Sequence, residues 1–329
     1  SGFGNADVHH MIHALRWAPW GELYFNQSIY INSFIDTRWG KRRLNGSGVW
    51  RFRPETERLD VFARGAVNPW GHAIDRWGQS FITDGAGGQG PHYTFPGAAF
   101  RSAVGAPRTM PGLVLGKPNG TGCEVLSGRH FPEQWRGSIV ENDFRANRTV
   151  RYKITETGSG YAAEEVETLV RSSRQTFRPV DLKVGPDGAL YIVDWYNAII
   201  DHGEVDFHHP LRDKAHGRIW RLIAKDRPLV ERPNIHGAPV EALLEYLKVP
   251  EGYSRTQAKR ELSTRSHDEV LPKLESWLTS LSTEDPEFEH HRLEALWLYG
   301  TMNAPDEKLL RKVLASPEPR ARASGVRIL

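Results

Sequence analysis

Short apolar runs alternate with glycine-containing turns over roughly the first two thirds of the chain. Three segments share one form: a turn ending in glycine is followed by a run rich in apolar, β-branched and aromatic residues. This pattern predicts a strand, a tight turn that needs the permissive backbone of glycine, and a second strand. The segments are Leu15–Gln27, Ala73–Asp84 and Leu182–Asp194, with a weaker fourth copy at Trp135–Asp143.

The regular spacing of these units predicts a repeat architecture. The turn glycines are Gly21, Gly78, Gly137 and Gly188, and they stand 57, 59 and 51 residues apart. This spacing is typical of four-stranded β-propeller blades with long loops, and four blades are fewer than most closed propellers have. We therefore expect a mainly β protein with an α-helical part, which begins with a partial propeller over residues 1–225 and lacks its N-terminal blades. A β-sandwich in which the spacing arises by chance is the alternative.

The pattern changes after residue 225. Residues 226–238 contain Pro228 and Pro233 and read as a linker. Over residues 239–329 apolar residues recur at helical spacing, and an Arg-x-x-Ala pattern begins at Arg255, Arg292 and Arg320. We predict HEAT-like helical repeats that act as a scaffold or docking surface and continue beyond the last residue.

A polar residue ends the second strand of each unit, six positions after the turn glycine. These residues are Gln27, Asp84, Asp143 and Asp194. They would ring one mouth of the central channel, where carboxylates hold a cation or orient a substrate. In the alternative, each aspartate only caps its own loop.

Further polar residues follow these strands. The segment from Asp194 through Asn197 to His216 is predicted to be a long loop over the channel face, where function concentrates. Arg145, Arg148 and Arg178 lie at or near predicted strand edges. Converging arginines would suit a polycarboxylate ligand, whereas each arginine taken singly suits a surface role.

Three histidines lie close together at His9, His10 and His13. A zinc site is one interpretation, but His9 and His10 would point to opposite faces of a strand, and the helical His-Glu-x-x-His motif is absent. One channel-facing histidine acting as a general base is the preferred interpretation, since its ordinary pKa of about 6.5 suits proton abstraction near neutrality. Packing histidines are the remaining alternative.

Composition narrows the possible partners. The 329 residues include 43 basic and 40 acidic side chains, and this near balance favours no nucleic acid partner. The single cysteine, Cys123, allows neither an internal disulfide nor a Cys-x-x-Cys-His haem attachment. The sequence contains no apolar run long enough to span a membrane and no signal segment at its start. Walker, dinucleotide-binding and nucleophile-elbow motifs are also absent.

Five stretches together resemble a family of planctomycete and verrucomicrobial propeller proteins known as membrane-bound dehydrogenases. That family is itself similar to the soluble quinoprotein glucose and sorbosone dehydrogenases. The stretches cover about residues 1 to 225 and are Gly4–His10, Val67–His72, Ser127–Gly137, Phe177–Gly188 and Asp194–Trp220.

The resemblance implies a six-bladed propeller. It also implies a periplasmic or membrane-associated enzyme that uses pyrroloquinoline quinone (PQQ) and calcium to oxidise a sugar or alcohol. It also implies a cytochrome c domain or protein as electron acceptor. On this basis His10 is the expected base with His9 beside it, and Arg145 and Arg178 are the expected cofactor contacts. Val67 stands where the quinoproteins have an arginine, and residues 84–87 differ from their calcium-binding segment.

Three hypotheses follow. The leading one is an extracytoplasmic quinoprotein-like oxidoreductase in which His10 assists hydride transfer. His9, Asp84, Asp143, Asp194 and Asn197 are its candidate substrate or channel residues. The second is a non-catalytic propeller module that binds a glycan or a protein partner. The third is a metal-dependent hydrolase or lyase that uses the histidine cluster.

Overall fold

The computed structural model describes residues 2–7, 11–116 and 119–328, and it confirms a mixed architecture in which a sheet-rich part precedes a helical part. The strands are β1 (His13–Trp17), β2 (Leu23–Gln27), β3 (Asn32–Thr37), β4 (Gly40–Asn45), β5 (Gly48–Arg53), β6 (Arg58–Arg64), β7 (Pro69–Ile74), β8 (Ser80–Asp84), β9 (His92–Thr94), β10 (Gly120–Val125), β11 (Ile139–Asp143), β12 (Arg148–Thr157), β13 (Gly160–Arg171), β14 (Pro179–Val184), β15 (Leu190–Asp194) and β16 (Arg218–Leu222). They form four antiparallel sheets in the orders β1-β2-β5-β6, β7-β8-β9, β10-β11-β12-β13 and β14-β15-β16, with β3-β4 as a separate hairpin.

The four predicted strand–turn–strand units are all present. Each turn glycine lies between the first and second strands of its sheet, and its φ is between 75° and 89°. At Gly78 a side chain would also have no room, because an added Cβ would lie 2.9 Å from the ring of Trp20. The glycine turn therefore determines where the chain reverses between the first and second strands of each sheet.

The four sheets follow one another side by side. The first strand of each sheet contacts the first strand of the next, so that β1 packs on β7, β7 on β10 and β10 on β14. The sheets therefore adjoin one another in chain order through their first strands, an order that propeller blades also have. Over the described ranges no strand of one sheet pairs with a strand of the next, and the sheets do not close into a ring.

Polar side chains on the first and second strands tie neighbouring sheets together. The Asn26 side-chain amide donates to the carbonyl of Pro69 at 3.3 Å, and the Thr83 hydroxyl donates to the carbonyl of Thr121. The Thr121 hydroxyl in turn donates to the carbonyl of Pro179 at 3.0 Å. These contacts satisfy buried polar groups between sheets and fix how the strand ends are aligned.

The helical part packs against the turn ends of the sheets. Its helices are α1 (Val240–Glu245), α2 (Gly252–Ser263), α3 (His267–Ser280), α4 (Phe288–Thr301), α5 (Glu307–Leu314) and α6 (Pro319–Val326). The Ser266 hydroxyl caps α3 by accepting from the Glu269 amide, and Asp306 caps α5 in the same way. One apolar cluster joins sheets and helices, and within it Trp20 and Trp297 have ring centroids 6.1 Å apart.

The predicted Arg-x-x-Ala pattern is only partly reflected in packing. Ala258 on α2 and Ala295 on α4 are fully buried, whereas Ala323 on α6 is exposed. The small alanines therefore allow close approach on two of the three helices. HEAT-like repetition stays a prediction. No helix within the described residues has the length and apolar character needed to cross a bilayer.

Candidate functional site

The predicted strand-terminal residues lie together at one end of the sheets, which we call the strand-end face. Asp84, Asp143 and Asp194 end β8, β11 and β15, and they pair across their sheets with Pro69, Gly120 and Pro179. Each first strand carries a bulge immediately beyond that pair. Repeated bulges redirect neighbouring side chains and are frequent beside active sites.

Each of the three carboxylates holds the loop that adjoins its strand. Asp84 accepts from the amides of Val67 and Asn68, both at 2.8 Å. Asp143 accepts from the amide of Ala146 at 3.1 Å and from the guanidinium of Arg148 at 3.0 Å.

Asp194 has the largest number of these contacts. It accepts from the amides of Arg178 and Tyr196, at 2.8 and 3.0 Å. Its second oxygen accepts from the Arg218 guanidinium at 2.7 Å and the Trp220 indole at 2.9 Å. Since Asp84, Asp143 and Asp194 are at most 2% exposed, their observed role is to order the loops. A direct substrate contact for any of them stays a prediction.

Arg178 and Asn197 connect the loops of the third and fourth sheets. The buried guanidinium of Arg178 donates to the carbonyls of Phe144, Asn197 and Ala198, at 2.9, 3.0 and 3.2 Å. The Asn197 side chain donates to the carbonyl of Asp213 at 3.0 Å. Both residues, which the sequence predicts as ligand contacts, therefore bind backbone groups of the protein itself.

Arg145 is the predicted cofactor contact that remains exposed. Its guanidinium lies 5.8 Å from the centre of the Phe144 ring. With the amide of Asn119 oriented to satisfy both neighbours, its oxygen accepts from Arg145 Nε at 3.1 Å and its nitrogen donates to the Gly85 carbonyl at 2.9 Å. Arg145 is thus positioned at the surface with donor groups facing solvent.

Three rings from successive sheets extend from Arg145 along the strand-end face. The Phe144 and Trp70 ring centroids are 6.2 Å apart, and Trp70 lies 6.1 Å from the ring of His13. All three rings are half-buried. We call the rings of His13, Trp70 and Phe144 the ring row, and Arg145 stands at its Phe144 end. Sequence reasoning named His13 and Arg145 but missed the row itself, although Trp70 lies in a stretch that carries the family resemblance.

A hydrogen-bonded chain fixes the first member of the ring row. Ser28 donates to the side-chain oxygen of Asn68 at 2.6 Å, and His13 Nε2 lies 3.1 Å from the Ser28 hydroxyl oxygen. The hydroxyl has one hydrogen, so His13 Nε2 is the donor in the second bond. His10, which is the predicted base, and His9 beside it lie outside the described residues. The histidine cluster as a metal site therefore stays a prediction.

A buried acid lies directly below the strand-end face. Glu141 is fully buried on β11, and neither of its carboxyl oxygens has a hydrogen-bond partner among the described residues. Burial, with a further contribution from Asp143 and Glu165, raises the pKa of Glu141 well above its ordinary value. Glu141 is therefore a neutral carboxylic acid over a wider pH range than a surface glutamate.

The strand-end face fits only part of the cofactor pair that the resemblance implies. The ring row offers a platform for a planar molecule, and Arg145 offers one cation for a carboxylate. Arg178 donates to four carbonyls, Val67 supplies no charge, and the oxygens of Asp84 already accept from amides. The described residues therefore do not complete a tricarboxylate site, and we derive no reaction step through the quinone.

Comparisons with known proteins give one family and several remote structural likenesses. The model of a family described as "Domain of unknown function (DUF7133)" matches residues 1–113 and 115–226. No curated protein matches the sequence.

Three solved structures illustrate the structural likenesses. An oxidoreductase (glucose dehydrogenase) from Thermus thermophilus is 20% identical with a TM-score of 0.44, and the match covers 59% of this chain and 62% of that one. The PQQ-bound aldose sugar dehydrogenase from Streptomyces coelicolor is 13% identical with a TM-score of 0.36, covering 60% and 77% of the two chains. The calcium-binding protein regucalcin from Agrobacterium tumefaciens is 11% identical with a TM-score of 0.33, covering 55% and 52%. The chain thus spans less than two thirds of the Thermus protein, and its function has to be argued from its own side chains.

Proposed function

We propose that this chain, which belongs to the DUF7133 family, binds a carbohydrate or a related polyol at its strand-end face and oxidises it. The observation that supports the proposal is the ring row, in which Trp70 and Phe144 lie side by side with Arg145 at one end. The apolar faces of sugar rings pack on aromatic rings, while side-chain amides bind the hydroxyl groups. Asn68 and Asn119, which adjoin the row, supply such amides.

Oxidation of a sugar hydroxyl removes the hydroxyl proton and transfers a hydride from the same carbon to a two-electron acceptor. In this proposal His10 accepts the proton, since an imidazole titrates near neutrality. The acceptor belongs to the quinone class, and PQQ with calcium is the pair that the family resemblance implies. The ring row and Arg145 would hold the substrate or the planar acceptor against the strand ends.

The rest of the proposal follows the family resemblance. The sheets would be blades of a six-bladed propeller, followed after a linker by HEAT-like helices. A periplasmic or membrane-associated location and a cytochrome c electron acceptor belong to the same proposal.

The test is dye-linked turnover of the full chain, supplied with PQQ and calcium, on a broad panel of sugars and alcohols. We expect activity on at least one sugar. Trp70→Ala should lower kcat/KM about tenfold, whereas Trp39→Ala, which removes an exposed tryptophan on the separate β3-β4 hairpin, should leave it unchanged. His10→Ala should lower kcat by about 10²-fold or more. Activity that is unaffected by His10→Ala would remove that residue from the mechanism.

A non-catalytic glycan-binding module is the second candidate. The engagement of Arg178 with backbone carbonyls favours it, because this leaves Arg145 as the exposed cation of the predicted cofactor pair. In that case calorimetry would show glycan binding that Trp70→Ala abolishes, and no sugar would be turned over. A quinone absorbance that remains with the protein through gel filtration would contradict it.

A further inference from the structure

A second site is suggested by a cavity at the opposite end of the sheets from the strand-end face. This turn-end cavity has a volume of about 650 Å³. It lies between helices α2 and α4 and the turns that follow the first strands of the sheets. Pro19 and Pro186 line it from the sheets, and Tyr253 and Trp297 line it from the helices. Its volume is within the range of small-molecule sites.

Basic side chains outnumber acidic ones in the lining of the turn-end cavity. Seven are arginine or lysine and three are aspartate or glutamate. One acidic residue, Glu124 on β10, is neutralised by Arg16 on β1, with a hydrogen bond of 2.9 Å. Arg232 and Arg260 are exposed, and neither forms a salt bridge with any described residue. Arg76 and Lys183 pair with carboxylates outside the lining, so the excess of positive charge lies on the two exposed arginines and on two buried basic residues.

Part of this excess is buried. Arg255 on α2 and Lys259 one turn later both pair with Glu294 on α4. The three residues are 6%, 3% and 1% exposed. Two basic side chains therefore share one carboxylate away from water, and burial lowers the pKa of each because an uncompensated charge is costly there. The Trp297 ring, 5.1 Å from Lys259 Nζ, offsets only part of this charge.

The neighbouring histidine does not change this balance. His290 lies 3.7 Å from Glu294, but burial lowers its pKa well below 6.5, so it is neutral at physiological pH. An additional anion in the cavity would compensate the buried cation.

We infer that the turn-end cavity binds a small multivalent anion, a phosphate ester or a polycarboxylate, between buried Lys259 and Arg255 and the rim arginines Arg232 and Arg260. Guanidinium groups bind the paired oxygens of either anion in a bidentate manner. The site uses no residue of the ring row, so it can exist whether or not the strand-end face oxidises a sugar. Because its walls come from both sheets and helices, an occupant would also stabilise their packing.

The experiment is calorimetric titration of the full chain with pyrophosphate and, separately, with citrate, at constant ionic strength adjusted with sodium chloride. We expect at least one of them to bind with a Kd below about 1 mM and to raise the melting temperature. Arg260→Gln and Arg232→Gln should each weaken binding about fivefold to tenfold. Lys308→Gln is the matched control, because it removes one exposed charge from α5, away from the cavity.

The two anions distinguish the sources of the ligand. Tighter binding of pyrophosphate indicates a phosphate ester, and tighter binding of citrate indicates a polycarboxylate. Lys259→Met should abolish binding, and the exposed Arg260 and Arg232 variants test the site even if that variant does not fold. Failure of both anions to bind, or equal weakening by Lys308→Gln, would overturn the inference. Sugar turnover is measured in parallel, and its absence would bear only on the strand-end face.

Discussion

Replacing Glu141 by glutamine is expected to change how the stability of the protein depends on pH. The wild-type side chain is fully buried without a hydrogen-bond partner among the described residues, and its pKa is raised well above 4.5 by burial. The folded protein therefore keeps this proton at pH values where the unfolded chain has lost it. Glutamine has nearly the same shape and stays uncharged at every pH.

The magnitude follows from proton linkage. Above pH 4.5 the folded state binds more protons at Glu141 than the unfolded state, so the free energy of unfolding falls as pH rises. The loss is about 1.4 kcal/mol for each pH unit between 4.5 and the raised folded pKa. The stability contribution of the buried acid is thus fully present below pH 4.5 and is lost as the pH rises through the folded pKa. In Glu141→Gln this position should add no pH dependence to the free energy of unfolding.

The assay is urea unfolding of wild type and Glu141→Gln at pH 5, 6, 7 and 8. The difference in free energy of unfolding between the two proteins should grow with pH in favour of the variant. Glu164→Gln, an exposed glutamate on β13, is the matched control and should follow the wild type. Parallel curves for wild type and Glu141→Gln would show that Glu141 is already ionised in the folded protein and would refute the reasoning.

Three other substitutions test the packing. Arg16→Met should lower the free energy of unfolding by about 3 kcal/mol, because it leaves Glu124 buried without its cation. Adding Glu124→Leu to that variant should recover more than half of the loss, measured by urea unfolding. Asp194→Ala removes four hydrogen bonds, so it should lower the free energy of unfolding by about 3 kcal/mol and make residues 195–217 more sensitive to protease. Unchanged proteolysis would contradict this. Trp297→Ala should cost about 3–5 kcal/mol, measured by chemical denaturation, because the ring is buried between sheets and helices; a loss under about 1 kcal/mol would show that the interface is not cooperative.

Much of the sheet-rich part could be predicted because its signals are local. A glycine at positive φ and an apolar run determine a strand–turn–strand unit within about a dozen residues, and all four units are present. The polar residues that end β8, β11 and β15 could be placed at one edge for the same reason. The blade count, the closure of the ring and the domain limits stay predictions.

The chemistry of the two sites could not be predicted from local patterns. The ring row joins residues from the starts of β1 and β7 and from the end of β11, and its members are adjacent only because the sheets pack side by side in chain order. The turn-end cavity depends on which helix packs over the turns, and no sequence period encodes that choice. Arg255 was visible as part of a helical pattern, but its shared carboxylate, Glu294, lies on another helix.

The repeated aspartates suggest how this architecture separates stability from function. Asp84 and Asp194 occupy equivalent positions, and both use their oxygens to hold backbone amides of the adjoining loops. A carboxylate engaged in this way has little capacity left for a ligand. The residues that can contact a ligand lie one or two positions away. Trp70 follows Pro69, which pairs with Asp84, and Arg145 lies two residues after Asp143. Within a repeat of this kind, the recurring polar position marks the loop anchor, and chemical specificity is to be sought in the differing residues beside it.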